Sequence, residues 1–208
     1  MGRAEVAALL ELDDVRLGKL DAYLSALGTW NKAINLVAAS TLADAWRRHI
    51  LDSAQLWRHR PAVLERLVDL GSGAGLPGLI LAIMGAPEVH LVESDRRKAA
   101  FLRDTAARLD LPVHVHDRRI ESMTPLAADL VTARALAPLD RLVVMARPFM
   151  TPTTRLLFLE GRSAGCELTG ADAKSKIGHT ARVTLLDSLS SRDGRIVMID
   201  GLNPYEVY

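Results

Sequence analysis

The run Val68-Asp-Leu-Gly-Ser-Gly-Ala-Gly-Leu-Pro-Gly78 constrains this chain more than any other segment. An apolar β-type stretch, Arg66–Leu70, leads into it, and an apolar helical stretch, Leu79–Met84, follows. Glycine allows sharp turns and close approach of backbone to a ligand, so strand, glycine loop and helix together define an α/β unit built for phosphates or nucleosides. The rest of the chain keeps the alternation. Val89–Glu93, Val113–His116, Leu130–Ala133 and Arg155–Leu159 read as strands; Arg96–Leu109 and Asp140–Arg147 read as helices, and Ala171–Ile177 as a further one. Such alternation predicts a parallel sheet covered on both faces. Val183–Asp187 and Arg195–Asp200, joined by the turn Ser191-Arg-Asp-Gly194, read as an antiparallel hairpin. Two helices precede the first strand. Residues 4–27 carry Val6, Leu9, Leu10, Leu17, Leu20, Leu24 and Leu27 at helical spacing, with Gly28 as the C-cap. A second runs from about Thr41 to Arg60, with Ser40 or Thr41 and Asp44 as its capping signal and Pro61 as its stop. The expected organisation is a helical extension over 1–62 and a core over 63–208.

Composition bounds the partners. The chain has 208 residues with 26 Lys+Arg against 25 Asp+Glu, a net charge of +1. On that balance alone a nucleic-acid binder is not expected, since such domains are usually strongly basic. Cys166 is the single cysteine, which excludes an intrachain disulfide and a Cys-rich zinc site and fits a reducing cytoplasm. The N-terminus has no signal-peptide pattern, and the longest central apolar stretch, Leu79–Ala86, is far short of the roughly 20 residues a membrane helix needs. A soluble, cytoplasmic protein is expected.

Two registers fit the glycine loop. Gly73-x-Gly75-x-x-Gly78 matches the dinucleotide fingerprint, with Glu93 placed 20 residues after Gly73 to hold a ribose. Asp69-x-Gly71-x-Gly73-x-Gly75 matches the first motif of S-adenosylmethionine (SAM)-dependent methyltransferases, with Asp69 reading the cationic end of the cofactor. An acid at the strand end repels a diphosphate and suits an ammonium or sulfonium, which favours the second register. Glu93, ending the next strand, is placed to accept the ribose hydroxyls, while Asp95 suits the helix N-terminus. Basic residues cluster at Arg96-Arg97-Lys98, Arg118-Arg119, Arg134 and Arg47-Arg48-His49. All but the last group fall near carboxyl ends of expected strands, the ligand face of an open α/β sheet.

Four segments together, Asn31-Lys-Ala-Ile-Asn-Leu36, Arg48-His-Ile-Leu-Asp-Ser53, Asp69 through Gly78, and Ala133-Arg-Ala135, resemble the ribosomal RNA small-subunit methyltransferase G (GidB) family. The resemblance covers roughly residues 20–162 and continues weakly beyond. It implies a class I SAM-dependent methyltransferase of Rossmann-like fold. The sheet would have seven mostly parallel strands with an antiparallel C-terminal strand, behind an N-terminal helical extension. The implied reaction is methyl transfer to N7 of guanine 527 in 16S rRNA, on the small ribosomal subunit, by a monomer. By position it implies SAM contacts from Asp69, Gly71, Gly73, Gly75, Leu76, Glu93, Ile120 and Glu121. Arg134 would lie beside both cofactor and target base, as the one catalytic assignment, with no general base. Arg48, Arg97, Lys98 and Arg119 would face RNA. His49, Asp52 and Asn35 match the family's N-terminal motifs without assigned roles. Glu160 and Asp200 stand where the family commonly carries a basic residue, and Arg162 is a candidate to compensate.

Other classes remain open on sequence: a small-molecule SAM methyltransferase, a nicotinamide-dependent oxidoreductase using the Gly73 register, and a non-catalytic ribosome-assembly factor. His90, His114 and His116 alternate on strands, but with no third ligand beside His114 and His116 no metal is expected. With charge so nearly balanced, recognition should come from a shaped local site on a pre-structured particle rather than from indiscriminate RNA binding.

Overall fold

The computed structural model describes residues 1–161 and 181–204. Seven strands form one sheet: β1 (Leu67–Leu70), β2 (Val89–Glu93), β3 (Val113–Asp117), β4 (Leu130–Arg134), β5 (Arg155–Glu160), β6 (Arg182–Asp187) and β7 (Arg195–Asp200). Their order is β3-β2-β1-β4-β5-β7-β6. β1 to β5 are parallel, and β7 runs antiparallel between β5 and β6. The hairpin turn closes where the sequence places it, with the Gly194 amide donating to the Ser191 carbonyl at 3.2 Å. The order reverses between β1 and β4, and at such a switch point the strand ends part to leave a crevice.

Both sheet faces are covered, which explains why β1 is buried along its whole length. Side chains alternate across a strand, so Leu67 and Leu91 join one core while Val68 and Val92 join the other. The first core is closed by α1 (Arg3–Leu9), α2 (Asp14–Trp30), α4 (Gly78–Met84) and α5 (Arg96–Arg108). The second is closed by α6 (Leu139–Ala146) through Leu139, Leu142 and Val143. α5 opens on Asp95, whose carboxylate accepts from the Arg97 and Lys98 amides as the N-cap.

The N-terminal helices differ from expectation. The single helix over 4–27 is two, because Glu11 adopts a left-handed φ of 52° and Asp13 starts a new helix by accepting from the Arg16 amide. Gly28 is not the cap: α2 continues to Trp30, and Asn31 Oδ1 accepts from the Leu36 and Val37 amides, both at 2.9 Å, to fold the following loop. The second expected helix is a chain of short turns: 3-10 at Ala39–Asp44, π at Trp46–Leu51, α3 (Asp52–Ala54), then 3-10 at Gln55–His59. The capping signal is spent elsewhere. The Thr41 hydroxyl donates to the Ala38 carbonyl, and Asp44 pairs with Arg47. The expected helix Ala171–Ile177, together with Arg162 and Cys166, lies outside the described residues. No helix among the described residues is long and apolar enough to cross a membrane.

Candidate active site

The glycine loop crosses the carboxyl end of β1, and three contacts, two from the end of β2 and one from α2, fix it. The Ser72 amide donates to the Val92 carbonyl at 3.1 Å. The Gly73 amide donates to Glu93 Oε2 at 2.8 Å. From α2, the buried Tyr23 hydroxyl donates to the Ala74 carbonyl at 2.8 Å. The N-terminal helices therefore hold the loop from behind, a role that no sequence pattern announced. At Gly73, φ is +55° and a Cβ would meet nothing nearer than the Gly71 carbonyl oxygen at 3.8 Å. The loop is open there, as a bound nucleoside requires. Beyond Gly71, Ala135 takes a left-handed φ of 50°, and the following Leu136 folds back over the loop.

The two acids of the sequence reading differ in placement. Glu93 is at the loop: Oε2 holds Gly73 and Oε1 accepts from the Asp95 amide at 2.7 Å. An ionised carboxylate has lone pairs to spare beyond two such bonds. Asp69 is instead fully enclosed beneath the loop, between Leu91 and the start of α4. Its Oδ1 accepts from the Thr132 hydroxyl at 2.7 Å, while Oδ2 has no partner among the described residues. Asp69, assigned on sequence to the cofactor's cationic end, has no exposed surface and braces β1 against β4 under the loop.

Burial pushes the Asp69 carboxyl up to about 6, against the Thr132 hydroxyl that holds it down. His49 shifts the other way. Its Nε2 is hydrogen-bonded to Thr41 at 2.9 Å and its Nδ1 is buried without a partner, and burial, then the Arg134 and Arg48 charges, push it down to about 4. The signs oppose. Raised Asp69 contributes stability below pH 3.8 that is lost as pH rises through about 6. Depressed His49 contributes stability above pH 6.5 that is lost as pH falls through about 4. Each masks the other in the native chain. Asp69→Asn should therefore uncover the His49 limb, giving a denaturation midpoint that falls as pH drops from about 6.5 to 4; a midpoint flat across that window would contradict this.

Beyond β4 a cavity of about 380 Å³ opens, lined by Arg47, Arg48, His49, Asp52, Arg134 and Glu160 among others. Arg134 ends β4 and is held at two points. Its Nη1 donates to Asp52 Oδ2 and to the Arg48 carbonyl, both at 3.3 Å. Asp52 Oδ1 in turn accepts from the Ser190 hydroxyl at 2.5 Å. Gln55 donates to Ser188 at 3.0 Å, and Arg47 donates to the Ser190 carbonyl at 2.6 Å. The irregular turns of residues 46–59 and the tip of the β6–β7 hairpin thus build one wall together. The expectation that Arg47-Arg48-His49 stands apart from the strand-end cations is corrected by this: the π turn brings them to Arg134.

The remaining assignments fall at two places. A second depression of about 330 Å³ unites Lys32 and Asn35 of the first motif with Asp95, Arg97 and Lys98. Arg119 is exposed just before the 3-10 turn Ile120–Ser122, where Ile120 packs against the second core and Glu121 is exposed. Leu76 is buried behind the loop. Of the two acidic departures, Asp200 is neutralised within the sheet by Arg155, Nε to Oδ1 at 2.7 Å, while Glu160 lies on the cavity wall.

Sheet order, glycine loop and strand-end acid define a Rossmann-like methyltransferase fold, and solved structures share it. A glycopeptide N-methyltransferase in complex with SAM matches with a TM-score of 0.59 at 13% identity, over 74% of this chain and 95% of that one. A 16S rRNA methylase matches at 0.58 and 15% identity, over 88% of this chain and 74% of that one. The family model for rRNA small subunit methyltransferase G matches residues 16–195. Ribosomal RNA small subunit methyltransferase G of Paramagnetospirillum magneticum is 52% identical over 171 residues, 82% of this chain and 83% of its own length. The protein of the same name from Rhodospirillum centenum is 48% identical over 188 residues, 90% and 85% respectively. The chain belongs to the rRNA small subunit methyltransferase G family. It is an enzyme, with SAM as its cofactor.

Proposed function

We propose that this chain methylates N7 of a guanine in 16S rRNA, the position equivalent to guanine 527, on the small ribosomal subunit. It works as a monomer in the cytoplasm. The observation that carries the reading is Arg134, held by Asp52 and the Arg48 carbonyl in the wall of a cavity at the end of β4, the strand paired with β1, whose own end carries the glycine loop. Arginine pairs with guanine through O6 and N7, so a fixed guanidinium orients this base by its O6 edge.

The residues fit the cofactor. Gly73 gives an open backbone edge between the left-handed turns at Gly71 and Gly75, which are packed by Leu136 and Leu79. Glu93 offers acceptors beside it, and Ile120 and Glu121 lie after β3 on the adenine side. Asp69 acts from beneath, keeping the loop in place through Thr132. Bound SAM supplies an electrophilic methyl group on a sulfonium. Guanine N7 carries a lone pair and no proton, so attack needs no general base. His49, held neutral and bonded to Thr41, is not asked to be one. What the protein supplies is alignment and exclusion of water, effects worth up to about 7–11 kcal/mol of barrier. Arg97, Lys98 and Arg119 face RNA phosphates from one side and Arg48 from the other.

Glu93→Gln tests the cofactor assignment. It replaces one acceptor by an amide donor facing a backbone N–H, and should weaken SAM binding by calorimetry about tenfold or more, as loss of a charge-assisted bond does. Unchanged affinity would remove Glu93 from the cofactor site. Labelled methyl from SAM should reach 30S subunits and not small metabolites, and NADH should not raise the melting temperature. The reverse pattern would favour the small-molecule or oxidoreductase readings.

A further inference from the structure

At the opposite end of β2 from the active site, four donor side chains meet. β2 and β3 pair so that His90 stands directly beside His114, with His116 one pleat further along the same face. Glu88, immediately before β2, reaches the same spot. One ligand atom from each of Glu88, His90 and His114 lies within 4.8 Å of the others. The three donors come together only through the pairing of β2 with β3, which brings His114 beside Glu88 and His90. Glu88 precedes Glu93 by five residues, roughly 16 Å along an extended strand, so this cluster is separate from the cofactor loop.

We propose that Glu88, His90 and His114 form a binding site for a divalent transition-metal ion of the zinc type, with His116 orienting His90 from behind. Two imidazoles and a carboxylate are the donor set such ions take, with room left for water as a fourth ligand. The hydrogen bonds already have the required order. His90 Nε2 faces Glu88 Oε1 at 2.7 Å, and His90 Nδ1 faces His116 Nε2 at 2.8 Å. Metal-bound histidines almost always use their second nitrogen in this way. Before binding, His116 donates to His90 and His90 donates to Glu88. With an ion at Nε2, His90 keeps its single proton on Nδ1 and donates to His116, which carries its own proton on Nδ1. The ion enters by a change of tautomer, with both rings neutral throughout. His90 is buried while His114 is exposed, which gives a fixed inner ligand and an entry side.

One group opposes the ion. Arg66 holds Glu88 with two bonds, Nε to Oε1 at 2.9 Å and Nη2 to Oε2 at 3.2 Å. The site must share a carboxylate with a cation, which sets a distinctive pattern for the test. Untagged, chelator-treated full-length protein is titrated with Zn²⁺ alone by calorimetry. One equivalent should bind. His114→Ala, at an exposed position, should weaken it about tenfold or more, as should His90→Asn, and Arg66→Gln should tighten it. Methyl transfer should be unchanged in His114→Ala. Absence of binding overturns the proposal, and so does binding that His114→Ala and Arg66→Gln leave unaltered.

Discussion

Arg134→Ala is expected to lower kcat/KM for methyl transfer by about a hundredfold or more while the protein stays folded. The fold should survive because the ion pair with Asp52 is partly exposed on both sides and such pairs contribute about 1 kcal/mol or less. Asp52 keeps Ser190 as a partner after the change. Activity should not survive, because the guanidinium is the fixed fork at the cavity lip, and alanine leaves the base free to rotate away from alignment. Arg134→Lys should recover little, since an ammonium lacks the planar two-point geometry. SAM affinity should change far less than turnover, which separates loss of base positioning from collapse of the cofactor site. Turnover near that of the native chain on 30S subunits would remove Arg134 from the mechanism.

The second large effect is structural. At Gly75, φ is +80°, and a Cβ would sit 2.4 Å from Leu79 Cδ1, 2.6 Å from its Cγ and 2.9 Å from its Cβ. Leu79 is fully buried in α4 and cannot swing out. Gly75→Ala therefore carries a left-handed cost of about 1–2 kcal/mol and an overpacking cost of about 1–3 kcal/mol. Together these should destabilise the protein by about 2–5 kcal/mol in chemical denaturation. SAM binding should be lost as well, because the Gly75 amide donates to the Ser72 carbonyl at 2.7 Å and so closes the loop turn. A variant with unchanged stability would mean that the loop is not held as described.

Locality decided what was legible in the sequence. β1, β2, β4 and β5 were readable because burial on both faces leaves near-continuous apolar runs, and β7 was placeable because the turn Ser191–Gly194 lies between it and β6. Glu93 was readable because a fixed spacing ties it to Gly73. The helical stretch before Arg60 was misread because its pattern suits any helical pitch. Its π and 3-10 turns come with packing against the hairpin tip and the core, not with propensity. Asp69 was readable as an acid at a strand end, but its burial depends on α4 and Thr132, 63 residues away. The pairs Tyr23 with Ala74 and Asp52 with Ser190 leave no mark that periodicity detects. Charge followed the same rule. The net value of +1 said little about partners, because Asp200 is spent on Arg155 while Arg47, Arg48 and Arg134 gather at one cavity.

The central claim is the reaction at guanine N7. The direct measurement maps N7-methylguanine in 16S rRNA, by mass analysis or strand cleavage, from cells with and without this protein and from undermethylated 30S subunits incubated with the purified chain and SAM. The expected result is a single N7-methylguanine at the position equivalent to 527, absent without the protein and restored by the native chain but not by Arg134→Ala. An unmodified guanine there in the presence of active protein, or a methyl group found on another atom or another RNA, would contradict the account.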